Sequence, residues 1–460
     1  MTSQLPQTSV AEALADQIVA VKPGILPPAT TRKCEELLID VVGLCVTARN
    51  EDYIASALSG CDDDGPCTVI GHERRLTAAG AAFVNGTAAH GEDFDDTFEG
   101  GPVHAGAVIV PAVLAACERH NPDGRMALTG IAVGTEVLCR LSLVVPKAVH
   151  KAGFHPTAIF GAMGAAAGVG AALGLNARQI VDALGIAGSM AGGIIEYLAE
   201  GAWTKRLHAG WAAQSGIRAA LLAQQGFVGP RTVFEGVHGL FHGFAHTSKG
   251  DYDALTGDFG SRWVTDTLAF KPYPCGTMAQ PYIDCARRLA GSGIKAEDIS
   301  EIVCEVAEGT VHRLWEPLVD KQRPPNGYAA KFATPYLLAT GFVHGGVGLA
   351  AFTEAAIQDP KVLALAAKVK FVIDPQNPYP KNYTGHIRAT MKNGSVIEER
   401  QPYLRGGAQE PLTRQDVTDK FTLNAEHGGW GAVQSDVALK LMAGLYNGRI
   451  DLSSLRGSGS

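Results

Sequence analysis

The spacing of apolar residues along the chain predicts a mainly helical protein. Through the first 260 or so residues, apolar positions recur at the three- and four-residue intervals of amphipathic helices. Ser9 and Glu12 have the spacing of a capping box in front of the first such stretch. The pattern predicts successive helices, among them those at 76–90, 107–121, 126–145, 157–174, 177–200 and 209–226.

Small residues recur inside several of these helical stretches. In the uncharged run from Ala158 to Leu175 they include Gly161, Gly164, Gly168, Gly170 and Gly174. Glycine lets neighbouring helix backbones approach closely, so this run predicts a buried helix rather than a membrane span. We therefore expect a dense all-α domain.

The pattern changes after about residue 261. Ile302, Cys304 and Val306 alternate with polar residues as in a half-buried strand, and 369–373 is a short β-branched run. The runs 386–391 and 396–400 flank an Asn-Gly pair, the strongest short hairpin signal. Helical patterns at 277–291 and 347–368 are interleaved with these strands, which indicates a smaller α+β domain.

The helical pattern resumes at about residue 412, so the end of the chain is expected to return to the first domain. The predicted fold is mainly α, with a large all-helical domain and a smaller α+β domain. The boundaries place 1–265 together with 405–456 in the helical domain, 266–404 in the α+β domain and 457–460 in a tail.

Composition narrows the class of protein. The chain has 460 residues, 46% of them hydrophobic and 18% charged, with a formal net charge of -7, as in ordinary soluble enzymes. No basic cluster is present, which argues against nucleic acid or an anionic membrane as a partner. The nine cysteines lack metal-site or disulfide spacing, and the N-terminus lacks the features of a secretory signal. We expect reduced thiols and a cytoplasmic location.

One acidic stretch, HGEDFDDTFEGGPVHAG from His90 to Gly106, is the first candidate for chemistry. Its carboxylates lie so close together that their pKa values should rise unless cations or hydrogen-bond donors compensate, a strain typical of functional sites. In one interpretation Asp95, Asp96 or Thr97 only caps the following helix. In another, Asp93, Asp96 and His104 bind a divalent metal. The third is an acid/base site.

Three further polar motifs favour the third interpretation. FHPT places His155 directly before a helix, where the helix N-terminus lowers the pKa of an imidazole. TKRLHAG supplies Lys205, Arg206 and His208 in front of another helix, a cationic group suited to carboxylates. KPYPC adds Lys271. Together these residues indicate one cleft for proton abstraction next to a carboxylate, where positive charge stabilises the developing anion.

These motifs resemble one known family. The segments AAFVNG (81–86), DFDDT (93–97), FHPT, TKRLHAG, KPYPC and KFATPY (331–336), in this order with His90 and His104, resemble the MmgE/PrpD family. That family includes 2-methylcitrate dehydratases, cis-aconitate decarboxylases and iminodisuccinate epimerase. The resemblance implies a large helical domain, a smaller α+β domain, a homodimer, an active site between the domains and no required cofactor or metal.

The resemblance also implies site residues. The family's polar positions fall on Asp93, Thr97, His104, His155, Lys205, Lys271 and Tyr336. His104 or His155 is expected to move protons, Lys205 and Lys271 to bind carboxylates or stabilise a carbanion, and Asp93 to orient an imidazole or lysine. Arg206 and His208 of TKRLHAG are expected to bind substrate. Many relatives have a Thr-His pair soon after KPYPC, where this chain has Ala279 and Gln280, so Gln280 takes a substrate-binding position and the family histidine's role is missing.

The first hypothesis is a cofactor-independent lyase acting on a small di- or tricarboxylate, with a 2-methylcitrate-type dehydratase favoured. A cis-aconitate-type decarboxylase and an epimerase of a substituted succinate are the rivals within the family. A metal-dependent hydrolase using the acidic stretch is the hypothesis of another class, and a non-catalytic carboxylate-binding protein is the third.

Overall fold

The computed structural model describes residues 8–101 and 103–457. Residues 458–460, most of the predicted tail, lie outside the described residues. The chain divides into two compact units, one extending to Leu268 and resuming at Thr413, the other comprising Ala269–Leu412. The first unit is built mainly of helices and the second contains a four-stranded sheet with helices, which confirms the predicted fold class.

Helices make up most of the first unit. Short strands, β1 (Asp64–Thr68), β2 (Arg75–Leu76) and β3 (Thr97–Phe98), interrupt them, and β1 pairs antiparallel with β2. This small hairpin was not predicted. The helices before the second unit are α1 (Val10–Ala20), α2 (Pro28–Ala48), α3 (Asp52–Ser59), α4 (Ala78–Gly91), α5 (Gly106–His120), α6 (Gly124–Val144), α7 (Ala148–Lys151), α8 (Pro156–Ala172), α9 (Ala177–Met190), α10 (Tyr197–Glu200), α11 (Thr204–Gln224), α12 (Leu240–Ala245) and α13 (Asp253–Thr256).

The second unit follows the short strand β4 (Leu268–Ala269). Its sheet has the order β6-β5-β7-β8, with β5 parallel to β6 and the other pairs antiparallel. The predicted hairpin is confirmed, because β7 and β8 pair across a turn in which Gly394 has φ 84°. The elements are α14 (Gln280–Gly291), β5 (Ile299–Val306), α15 (Val311–Leu314), α16 (Leu318–Gln322), α17 (Gly327–Ala330), α18 (Thr334–His344), α19 (Pro360–Ala366), β6 (Val369–Ile373), β7 (Gly385–Met391) and β8 (Val396–Gln401).

The chain then returns to the first unit through α20 (Arg414–His427) and α21 (Ala432–Gly444). Helix α20 packs along α2, and its Phe421 is fully buried. Thr413 caps α20 in a capping box with Asp416, just as Ser9 and Glu12 cap α1. The predicted capping box at Ser9 is confirmed.

Several helix predictions need correction. The stretch 177–200 is not one helix, because α9 ends at Met190 and Gly193 adopts φ 142° before α10 begins. The helix predicted at 209–226 begins at Thr204, so the TKRLHAG motif forms its first turns rather than preceding it. The predicted helix at 347–368 is largely replaced by two short 3-10 turns, and only α19 is α-helical, beginning at Pro360 behind the Asp359 cap.

Close helix packing in the first unit depends on glycine. A Cβ at Gly164 would lie 2.7 Å from the carbonyl oxygen of Gly134, and one at Gly168 would lie 2.6 Å from that of Gly130. Helices α6 and α8 therefore touch backbone to backbone, as the small residues of α8 predicted. Helix α11 approaches α8 in the same way at Gly216, where a Cβ would lie 2.6 Å from the amide nitrogen of Ala166.

Length and hydropathy alone would let one described helix, α6, cross a membrane, and 94% of its apolar window is buried inside the protein. The nine cysteines are free thiols. Burial raises the pKa of Cys117 and of Cys285 to about 12, so these thiols stay protonated.

The close packing at Gly216 gives a stability prediction. Gly216→Ala should lower the free energy of unfolding by about 1–3 kcal/mol, because the added methyl group forces α11 away from α8. Gly243→Ala is the matched control, since a Cβ there meets nothing within 4 Å. Denaturant unfolding of both variants tests this, and equal stability of the two would contradict the packing argument.

Candidate active site

The turn between α4 and α5 is held by the buried carboxylate of Asp96. Its Oδ1 accepts a hydrogen bond from the amide of Gly106 (2.8 Å), and Oδ2 accepts one from the amide of Ala105 (3.0 Å). The capping interpretation is therefore right for Asp96. Burial, Asp95 and Asp40 together raise the pKa of Asp96 to about 8, although the two amide donors act in the opposite direction.

Asp95 does not cap the helix. Its carboxylate pairs with His90, whose Nδ1 lies 2.7 Å from Oδ2, and both side chains are fully buried. The other oxygen, Oδ1, is 3.7 Å from Nδ1 of His104. Asp95 therefore faces two imidazoles.

A backbone carbonyl fixes the orientation of His104. Nδ1 of His104 lies 2.7 Å from the carbonyl oxygen of Asp96, and a carbonyl can only accept. Nδ1 therefore carries the proton, and Nε2 of the neutral ring carries the lone pair. This tautomer leaves Nε2 as the nitrogen that can take up a proton from a substrate.

His155 and His208 form a second imidazole pair. Their Nδ1 atoms lie 3.1 Å apart, and both rings are buried. Burial, followed by the charges of His90, His208 and Lys205, holds the pKa of His155 well below its usual value. Burial, His90 and Lys205 lower the pKa of His208 to about 4. Both rings are therefore neutral near pH 7. From the sequence, the helix N-terminus was expected to lower the pKa of His155. In the structure, burial is the largest cause.

Together His90, His104, His155 and His208 form a histidine cluster. Ring centroids are 5.0 Å apart for His90 and His104, 5.6 Å for His90 and His155, and 5.3 Å for His155 and His208. Nε2 of His90 is buried and has no hydrogen-bond partner among residues 8–101 and 103–457. The cluster thus brings imidazole nitrogens together in a largely buried environment.

Lys205 supplies the positive charge beside this cluster. Its ammonium pairs with the carboxylate of Asp93, and both side chains are mostly buried. Asp93 adopts φ 55°, a left-handed conformation that is uncommon outside glycine and is often found at functional sites. The turn therefore holds Asp93 against Lys205, and a role for Asp93 in orienting that lysine stays a prediction.

Arg206 and Thr97 were also expected in the site, and in the structure each lies in other surroundings within the first unit. The Arg206 guanidinium stacks on the ring of Tyr53 (4.3 Å) and lies 4.0 Å from Glu92, rather than beside the histidines. Thr97 is buried in β3. Substrate binding by Arg206 and Thr97 stays a prediction.

Lys271, Gln280 and Tyr336 belong to the second unit. Lys271 is buried beyond β4, and Gln280 begins α14, where its Nε2 donates to the carbonyl of Tyr273 (3.2 Å). The Tyr336 hydroxyl donates to the carbonyl of Ala351 (2.6 Å), which gives it a structural hydrogen bond. Their catalytic or binding roles stay predictions.

Sequence reasoning missed His90 and Asp95 as members of the site, and also Tyr197, whose ring lies 5.7 Å from that of His208. A usable signal existed for His90. It ends a helix, α4, that is buried on nearly all sides, and a buried imidazole needs a polar partner. The nearest acids along the chain lie in the turn that follows α4, so one of them could have been expected as the partner of His90.

A divalent metal has one group of possible ligands among the described residues. Donor atoms of His90, Asp95 and His104 all lie within 4.8 Å of one another. This set differs from the predicted Asp93, Asp96 and His104, because Asp93 pairs with Lys205 and Asp96 caps α5. A metal bound through Nδ1 of His90 would have to displace the proton that now bonds Asp95.

The two lowered pKa values predict how stability changes with pH. Between pH 6.5 and about 4 the unfolded chain binds a proton at His208 while the folded chain does not, so stability falls as the pH falls. The slope is up to about 1.4 kcal/mol per pH unit for each such histidine. His208→Asn should flatten the dependence of the unfolding free energy on pH across this window.

Unfolding at pH 7, 6 and 5 measures this slope, with His242→Asn, an exposed histidine, as the control. An unchanged slope in His208→Asn would show that His208 titrates normally in the folded protein.

Comparison with known proteins places these features in a family. The model of the MmgE/PrpD N-terminal domain matches residues 12–253, and that of the C-terminal domain matches 273–440. The chain is 30% identical to human cis-aconitate decarboxylase over 93% of this chain and 90% of the relative. It is 26% identical to cis-aconitate decarboxylase of Aspergillus terreus over 86% of this chain and 85% of the relative. It is 22% identical to 2-methylcitrate dehydratase of Cupriavidus necator over 80% of this chain and 79% of the relative. The chain belongs to the MmgE/PrpD family.

Proposed function

We propose that this protein is a lyase that acts on a small di- or tricarboxylate without a metal or organic cofactor. The observation that carries the proposal is the histidine cluster beside the Lys205–Asp93 ion pair. Neutral imidazoles can accept a proton from carbon, and a buried ammonium can stabilise the negative charge that develops. The family relatives named above are decarboxylases and a dehydratase of such acids.

Each side chain has a part in this chemistry. Lys205 has three N–H donors, so it can keep its bond to Asp93 and also donate to a substrate carboxylate. His104, fixed by the carbonyl of Asp96, moves a proton at Nε2. His155 and His208 are neutral at pH 7, so either ring can accept a proton from the substrate.

The same groups serve either reaction. In decarboxylation the bond to the carboxylate carbon breaks, the electron pair stays on the substrate carbon and CO2 leaves, and an imidazolium donates a proton to that carbon and regains one from water. In dehydration an imidazole removes the proton from the carbon next to the carboxylate. A protonated side chain then donates a proton to the departing hydroxide, which leaves as water.

We propose decarboxylation of a cis-aconitate-like acid as the first reaction to test, since two decarboxylases match at 26–30% identity over most of the chain. The 2-methylcitrate-type dehydratase, which the sequence motifs favoured, is the second candidate and is supported by the relative at 22% identity. Dehydration needs a base and decarboxylation needs a proton donor, and an imidazole can serve as either. Both reactions also need a carboxylate-binding cation, so the described side chains suit both.

A substrate panel separates the candidates. Purified protein is incubated with cis-aconitate, 2-methylcitrate and citrate, while CO2 release and enoate absorbance are followed. CO2 from cis-aconitate alone identifies the decarboxylase, and new absorbance from 2-methylcitrate without CO2 identifies the dehydratase. Solvent deuterium entering an otherwise unchanged substituted succinate, with no turnover of the panel, would replace the lyase by an epimerase. Activity that survives EDTA treatment and dialysis would eliminate the metal-dependent hydrolase.

Substitution tests the residues. Lys205→Ala and His155→Ala should each lower kcat by about 100-fold or more, the scale for losing an electrostatic or acid/base group. His242→Ala, which changes an exposed imidazole outside the cluster, should leave kcat unchanged. Near-normal rates in both Lys205→Ala and His155→Ala, with intact circular dichroism, would remove these side chains from the mechanism.

A further inference from the structure

The second unit contains a pocket that the proposed chemistry does not use. Its volume is about 320 Å³, and its lining residues are Asp284, Arg287, Arg288, Gly345 and Arg405. We call it the arginine pocket. It is formed by α14, the glycine that ends α18 and the segment after β8. This volume is at the lower end of small-molecule sites, so it suits a ligand of a few heavy atoms.

The charges of the arginine pocket favour an anion. Asp284 faces two guanidinium groups, with its Oδ1 3.3 Å from Nε of Arg405 and 3.8 Å from Nη1 of Arg287. Arg288 is already matched by Glu399, 3.0 Å away. The pocket lining itself contains three arginines and one acid, so positive charge predominates at its wall.

Arg287 is held in place with donors to spare. Its Nε donates to the carbonyl of Gly345 (2.7 Å), and its Nη1 donates to the hydroxyl of Tyr273 (2.8 Å). In the part of the chain that the structure describes, Nη2 makes no hydrogen bond. A guanidinium fixed at two nitrogens and open at the third is preorganised for an oxyanion.

Asp284 adds a second requirement for the ligand. Its side chain is 5% exposed, and Oδ1 already accepts from the Tyr273 hydroxyl (2.6 Å). Oδ2 is buried without a hydrogen-bond partner among the described residues. An orphaned buried carboxylate oxygen is costly, so the pocket suits a ligand that brings its own donor.

We propose that the arginine pocket binds a small oxyanion that also carries a hydroxyl group. The oxyanion contacts Arg287 and Arg405, and the hydroxyl donates to Oδ2 of Asp284. A hydroxycarboxylate and hydrogen phosphate both have this chemistry. The site consists of residues other than those given a role in the lyase reaction, so binding there does not depend on turnover.

Protection from arginine modification tests the proposal on the intact protein. Phenylglyoxal labelling is followed peptide by peptide with malate, succinate or inorganic phosphate present at equal ionic strength. Malate and succinate differ by one hydroxyl. Malate should protect Arg287 and Arg405 at concentrations about tenfold lower than succinate, because of the lost hydrogen bond to a charged group. Arg400, an exposed arginine of the same unit, should be labelled equally in all samples.

The outcomes separate the ligand sources. Protection by malate alone assigns a hydroxycarboxylate, and protection by phosphate alone assigns a phosphate group, and both support the site. Arg287→Gln should weaken malate binding in calorimetry by about tenfold or more, while Arg400→Gln should not. Protection of Arg400 equal to that of Arg287, absence of protection by both malate and phosphate, or protection by malate that succinate matches at the same concentration would overturn the proposal. His155→Asn should keep the protection, which separates this site from carboxylate binding at the histidine cluster.

Discussion

The buried carboxylate of Asp96 is the constraint on which the histidine cluster depends. With its side chain it holds the first amides of α5, and with its own carbonyl it fixes the ring of His104. One residue therefore sets both where α5 begins and which nitrogen of His104 can exchange a proton. Burial raises the pKa of Asp96 to about 8, so the carboxyl group is mainly protonated near pH 7, and the two amide hydrogen bonds compensate part of the cost of burying it.

The end of the chain stabilises the same turn. Lys420 on α20 donates to the carbonyl of Phe94 (2.7 Å) and pairs with Asp40 on α2 (2.7 Å). Its ammonium also lies 3.9 Å from the centre of the Phe94 ring. Since all of these groups are buried, removal of the lysine would take a cation away from a buried carboxylate and a donor away from a buried carbonyl. Helix α20, which brings the chain back to the first unit, thus helps to fix the segment that carries Asp93, Asp95 and Asp96.

The sequence was sufficient for elements whose signal is local. The capping box at Ser9, the glycine contacts of α8 and the Asn-Gly hairpin all follow from neighbouring residues, and each is confirmed. The site was harder, because burial is a tertiary property. The motif grouped four acids, but only the fold shows that Asp96 caps, Asp95 binds His90 and Asp93 binds Lys205. The start of α11 was also missed, because Thr204 and Lys205 are polar and the sequence alone does not show that they belong to a packed helix.

Burial determines which groups in and around the histidine cluster are charged. Burial drives Asp96 towards its protonated form and His155 and His208 towards their neutral forms. The ammonium of Lys205 and the carboxylate of Asp93 form an ion pair. A substrate carboxylate that approaches Lys205 therefore competes with the carboxylate of Asp93, and the side chains of both residues are mostly buried. Because weakly screened interactions are strong, a small shift of the ammonium from Asp93 towards the substrate would change the energy of a developing carbanion substantially. The left-handed turn at Asp93 sets the position from which that shift begins.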